Sequence, residues 1–214
     1  MKYRLLLANI FAAVMLALYG SFTILSSMVI VVAPSLPYPI AVTSAILYLF
    51  GFGLPVLIYA VYVKKLTMQK VRETLSVRKL PILSILIVIA IAVFIQPVMS
   101  LIAQVSALFF NDITTVSIEG MTDMPLWLLI LTSAVLPAVF EELVCRGMLM
   151  DGYKDTPVWY QILIPGLFFG FLHMNFQQIS YAAVMGIYFA IILLITRSIW
   201  ATMISSTKAS LMCR

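Results

Sequence analysis

Two predominantly apolar stretches, residues 5–32 and 80–110, contain no charged side chain and set the terms on which this chain can fold. Wound as helices at about 1.5 Å per residue, either one is longer than the roughly 30 Å hydrocarbon core of a bilayer. The rest of the sequence agrees: 64% of the 214 residues are apolar, 10% are charged, and mean hydropathy is +1.13. A soluble domain carries about 45–50% apolar and roughly 25% charged residues, so a water-soluble fold of this length has no interior large enough for so much apolar surface. The solvent must be lipid. In hydrocarbon every backbone donor and acceptor needs an internal partner, which leaves helices or a closed barrel. The apolar stretches run past strand length and do not alternate with period two. The expected fold is therefore all-α, a polytopic transmembrane helix bundle.

About six spans and a short seventh stub are expected. The first, 5–32, follows Lys2 and Arg4 and is too long, with no clear stop, for a cleavable signal peptide. Pro34 and Pro37 break the chain before a second span at 38–63, and 80–110 is the third. The fourth runs over 126–153, the fifth over 158–173 and the sixth over 179–196. The last stretch, 199–214, is apolar at first and then reads Ser-Ser-Thr-Lys-Ala-Ser; it covers only about 24 Å, and the polar tail is expected not to complete a helix. No internal repeat or low-complexity linker interrupts residues 1–214, so a single membrane domain is expected. Cys145, inside an apolar run, and Cys213 offer neither a disulfide framework nor metal-ligand spacing to a His.

Charge location sets orientation. Lys2 and Arg4, the 64–79 loop with Lys64, Lys65, Lys70, Arg72, Arg78 and Lys79, the turn at Lys154, and Arg197 all fall on one side if every span crosses. The 111–125 loop, with Asp112, Glu119 and Asp123 and no basic residue, falls on the other. Basic loops stay inside, so a cytoplasmic amino terminus is expected. The net charge of +5 belongs to that asymmetry and not to a nucleic-acid footprint.

Within so apolar a chain, a carboxylate in mid-span is costly, roughly 2.5–3.5 kcal/mol on insertion scales, and marks a candidate functional residue. The fourth span holds two in succession, in Pro137-Ala-Val-Phe-Glu141-Glu142-Leu-Val-Cys-Arg146-Gly147. Neighbouring helical residues point about 100° apart, so the two diverge. Glu142 and Arg146, at i and i+4, are placed for an ion pair, which leaves Glu141 unpaired and suited to general-base work on a water molecule. The bland alternative is a helix end at which Glu142 and Arg146 snorkel to the headgroups.

His173, the sole histidine, ends Phe169-Gly170-Phe171-Leu172-His173, so Phe169 and His173 share a helix face. Alone it reads equally as an interfacial packing residue. Glu141 and His173, however, lie 16 residues before and after Pro157. In a helical hairpin turning there, both stand about 24 Å from the turn. Gly166 and Gly170 allow close helix approach, and Pro137 removes one backbone hydrogen bond beside the carboxylates.

Glu141-Glu142-x-x-x-Arg146, followed about 30 residues later by Phe169-x-x-x-His173, resembles the CPBP family of intramembrane proteases. That family comprises the type-2 CAAX prenyl endopeptidases with bacterial Abi and bacteriocin-immunity relatives. The likeness covers roughly residues 80–206, a protease core within the single domain. It implies that Glu141 and His173 activate the hydrolytic water, while Glu142 and Arg146 support the helix and Phe169 belongs to the second motif. A later His and Asn of the family, which stabilise the oxyanion, correspond to Ser206 and Ser210 here; either this is a natural variant that has lost the oxyanion helix or, the favoured expectation, the carboxyl terminus is shifted or truncated relative to the family.

The expected activity is thus an intramembrane endopeptidase using Glu/His-activated water, impaired by the missing third motif. Its substrate would be a hydrophobic or lipidated peptide, and its location a bacterial cell membrane. The family has been described both as metalloprotease and as metal-free; zinc would find only Glu141, Glu142 and His173, and adjacent Glu side chains on a helix diverge. Two other classes stay open: a non-catalytic binding or bacteriocin-immunity protein of the same fold, and a small transporter or channel using the paired carboxylates.

Overall fold

The computed structural model describes residues 2–32, 39–110 and 124–212. Pro34, Pro37, the acidic residues Asp112, Glu119 and Asp123, and Cys213 lie outside them. The described residues form helices and connections, with no strand. Seven rods follow one another: α1 (Lys2–Val32), α2 (Ala41–Thr67), α3 (Ile82–Ala107), α4 (Leu126–Tyr153), α5 (Val158–Phe171), α6 (Phe176–Thr196) and α7 (Ile199–Met212). The all-α polytopic bundle expected from the sequence is what forms. α1, α2, α3, α4 and α6 are long and apolar enough to cross a bilayer. α5, the fifth expected span, is a 14-residue helix, about 21 Å. The polar tail behaves differently from expectation: Ser205, Ser206 and Thr207 continue α7, because the Thr207 hydroxyl returns to the Met203 carbonyl at 2.8 Å and the helix is not interrupted before Met212.

Prolines shape the rods locally. Pro55 and Pro137 lack the N–H that an α-helical ladder needs, and the backbone just before each widens to π-helix, at Leu47–Gly53 in α2 and Leu131–Val135 in α4. A third π stretch, Leu143–Leu149, holds Arg146 and Gly147.

Outward-facing Leu83, Phe94, Leu101 and Ile195 are more than half exposed, as lipid-facing side chains in a bilayer are. Inside, Ala8, Met15, Phe52, Tyr59, Val144, Met148, Phe169 and Phe189 form one core joining α1, α2, α4, α5 and α6. α5 and α6 meet backbone to backbone. A Cβ at Gly166 would stand 2.8 Å from the Ile187 amide nitrogen, and one at Gly186 2.6 Å from the Gly166 carbonyl. The small-residue contact expected of Gly166 therefore has α6 as its partner.

The basic segments gather at one end. Arg4 of α1 reaches Asp151 of α4 at 3.3 Å and Gln69 at 2.8 Å. Lys154 contacts the same two, at 3.3 and 3.0 Å, and Tyr59 donates to Asp151 at 3.1 Å. Ser198 donates to the Arg78 carbonyl at 2.6 Å and Ile199 N–H to the Ser76 carbonyl at 3.0 Å. The amino-terminal end of α1, the 64–79 loop, the turn at Lys154 and the α6–α7 turn thus share one face of the bundle, as rods that alternate in direction require.

Candidate active site

Glu142 and Arg146 are fully buried in α4, with the Arg146 Nη1 3.0 Å from Glu142 Oε1. Interfacial snorkelling is ruled out by that burial. The guanidinium is enclosed on several sides. Its Nη2 donates to the Gly186 carbonyl of α6 at 2.6 Å, and its central carbon lies 4.8 Å from the Phe169 ring and 5.2 Å from the Phe189 ring. Phe169 and Phe189 meet edge to face at 5.9 Å. One cation, paired within α4 to Glu142, therefore ties α4 to α5 and α6 through a charge-assisted hydrogen bond and two ring faces. Phe169 earns its place in the motif as one of those faces. Thr202 of α7 lies beside the Glu142 carboxylate, its own proton directed to the Ile199 carbonyl at 2.9 Å.

Glu141 points to the other side of α4. It accepts a hydrogen bond from the Tyr48 hydroxyl at 3.3 Å, and the Tyr19 phenol lies within reach of its charge. Tyr48 is held there by stacking between Phe52 and Phe140, at 5.5 and 6.2 Å between centroids. Gly53 makes room for the stack, since a Cβ there would stand 2.7 Å from Phe140. The tyrosines come from α1 and α2, upstream of the 80–206 core expected from the sequence. Their signal is faint: two of several tyrosines in apolar spans.

His173 lies in the turn that closes α5, half-buried, its ring 5.2 Å from that of Phe169. Its Nδ1 is 2.9 Å from the Phe169 carbonyl. A carbonyl only accepts, so Nδ1 carries the proton, and in the neutral ring Nε2 keeps a lone pair. Helix α1 passes near both candidate residues: the Tyr19 phenol lies within reach of the Glu141 charge, and a Cβ at the next residue, Gly20, would stand 3.6 Å from Cε of Met174, the neighbour of His173. No hydrogen bond joins Glu141 to His173 directly among the described residues.

Ser206 is buried on α7, and α7 packs against α4. The Ser210 side chain lies outside the description. The residues do not fit a three-ligand metal centre: among the described residues no three His, Cys, Asp or Glu side chains converge, and Glu142 is committed to Arg146.

Fold and site together define an integral membrane protein, a bundle of apolar helices with a buried Glu-Glu-Arg segment packed on the Phe-His motif of the next helix. Residues 123–207 match the family model described as type II CAAX prenyl endopeptidase Rce1-like. That stretch is similar to the type II CAAX prenyl endopeptidases, a family whose members are generally proteases. No curated protein and no solved structure matches it.

Proposed function

We propose that this protein is an intramembrane endopeptidase of the CAAX type, acting on a hydrophobic or lipidated peptide. Glu141 is the general base and His173 shares or relays the proton. A single observation carries the reading: Glu141 is the mid-span carboxylate left outside the Arg146 ion pair, turned to two tyrosines and held by a hydroxyl. In this reaction Glu141 takes a proton from water, the resulting hydroxide adds to the scissile carbonyl, and the proton passes to the leaving amine. The Nε2 lone pair of His173 accepts a hydrogen bond from the same water. Tyr48 orients the Glu141 carboxylate, and Glu142, Arg146 and Phe169 hold the helices that carry the pair. With serine at the positions where the family keeps its oxyanion donors, the rate is expected to fall about 10²–10³-fold below that of a complete site. The basic end faces the cytoplasm of a bacterial cell in this reading, the amino terminus included.

The test is cleavage of a prenylated or otherwise hydrophobic reporter peptide by the purified protein in liposomes. Glu141→Gln should lower the rate about 10²–10⁴-fold with the fold retained. Undiminished cleavage by that variant refutes the mechanism. The buried Ser206 supports a second reading, a non-catalytic peptide-binding or immunity protein of the same fold. Protection of cells that survives both Glu141→Ala and His173→Ala supports that reading instead.

A further inference from the structure

The loop joining α2 to α3 has more built structure than a topology signal requires. Met68 ends α2 in the left-handed region, φ 59°, its N–H bonded to the Lys64 carbonyl at 2.9 Å. A single helical turn follows at Val71–Thr74, and the Arg72 Nε donates to the Val77 carbonyl at 2.8 Å. The inner side of the loop is anchored: Thr74 is buried, Leu75 packs beside Gly147, and Val77 joins the cluster of Met150, Leu193 and Ile199. Its backbone is stapled to the α6–α7 turn through Ser198 and Ile199.

The outer side holds the cations. Lys70, Arg72, Arg78 and Lys79, all exposed, line a cleft of about 390 Å³ with Glu73 and Val77. None of the four forms an ion pair among the described residues, with Glu73 or any other acid. Keeping a loop inside needs only basic residues near the span ends, and the exposed Lys64 and Lys65 supply those outside the cleft. Orientation does not require four cations converging on one cavity in a stapled loop. Both ends of the loop run directly into spans, so the cleft lies at the depth of lipid headgroups.

We infer that this cleft binds the phosphate headgroup of an anionic phospholipid. Four unpaired cations around one concavity match a phosphodiester, while a zwitterionic headgroup brings its own cation. Leu75, on the inner side of the same loop, contacts Gly147 next to Arg146, so an occupied cleft steadies the loop against the helix that carries the candidate site.

The experiment reads lipid binding alone and so stands apart from proteolysis. The full chain in a neutral detergent is titrated with dioctanoyl phosphatidylglycerol, dioctanoyl phosphatidylcholine or inorganic phosphate, and bound adducts are counted by native mass spectrometry. Phosphatidylglycerol should bind, and Lys70→Gln/Lys79→Gln should weaken it about 30-fold, from roughly fivefold per basic residue at an anionic surface. Arg72 is left intact because it staples the loop. Lys64→Gln/Lys65→Gln removes the same charge outside the cleft and should stay within about twofold of the parent. Equal binding of phosphatidylcholine, equal loss in the two double variants, or displacement by equimolar inorganic phosphate overturns the assignment.

Discussion

Arg146→Met withdraws a buried cation from a buried carboxylate, and its cost follows from the geometry. Nη1 and Oε1 are 3.0 Å apart and both side chains are fully buried. At an effective dielectric of about 20, two unit charges at that separation attract by roughly 5–6 kcal/mol. Desolvation of both groups offsets part of this, and removing one partner of a buried pair typically costs about 3–5 kcal/mol. The bond to the Gly186 carbonyl and the contacts with Phe169 and Phe189 vanish with the guanidinium, which sets the expectation at the upper end of that range. Methionine is shorter but close in volume and flexible, so it fills much of the slot and cavity formation contributes the smaller part. Stability is measured by titrating dodecyl sulfate into dodecylmaltoside micelles and following tryptophan fluorescence. Glu142→Gln/Arg146→Met leaves no orphaned charge and should recover at least about 2 kcal/mol over the single variant. Arg146→Lys keeps charge but loses the planar stack and the reach to Gly186, and should fall between parent and Arg146→Met. A loss below about 1 kcal/mol for Arg146→Met, or a double variant no more stable than the single one, refutes the buried ion pair as the source of the cost.

Two shorter predictions probe the surroundings. Gly186→Ala places a methyl 2.6 Å from the Gly166 carbonyl and 2.9 Å from its Cα, backbone atoms that yield only if α5 and α6 separate; a loss of about 1–3 kcal/mol is expected in the same titration, and no loss would show that the helices do not touch there. Tyr48→Phe removes only the hydroxyl on Glu141 and should slow peptide cleavage about tenfold with stability within roughly 1.5 kcal/mol of the parent; an unchanged rate would remove Tyr48 from the orienting role.

Much of the fold was legible because lipid imposes one simple demand, an apolar helix of sufficient length, and composition answers it residue by residue. Basic residues marked which helix ends share a face, and Arg4, Gln69, Asp151 and Lys154 meet there. Less legible was the tail. Polarity around Ser205 read as the end of a helix, yet the Thr202 and Thr207 hydroxyls bond within their own helix, Ser205 meets the Tyr188 hydroxyl of α6, and one face of α7 is covered by α3, α4 and α6. Two of the three π stretches among the described residues had a signal in Pro55 and Pro137, although a missing N–H announces a disturbed ladder without saying which way it relaxes; Leu143–Leu149 has no proline just after it.

In the site, what lay within one helix was readable and what came from elsewhere was not. The pairing of Glu142 with Arg146 follows from a spacing of four residues, whereas Gly186, Phe189, Tyr48 and Tyr19 reach α4 from helices that no local pattern connects to it. Those distant contacts are what make two adjacent carboxylates unequal. Because consecutive side chains diverge by about 100°, α4 cannot turn both into one environment. The α5 and α6 side supplies two rings and a backbone carbonyl that fix α4's own Arg146, so the carboxylate facing that cation becomes structural. The α1 and α2 side supplies phenols, which hold a carboxylate in place without neutralising it. The order Glu-Glu therefore assigns roles only once the bundle is assembled: an arginine at 145 in place of Arg146 would pair with Glu141 on the tyrosine side and leave the unpaired carboxylate, Glu142, among the rings of α5 and α6, away from the tyrosines.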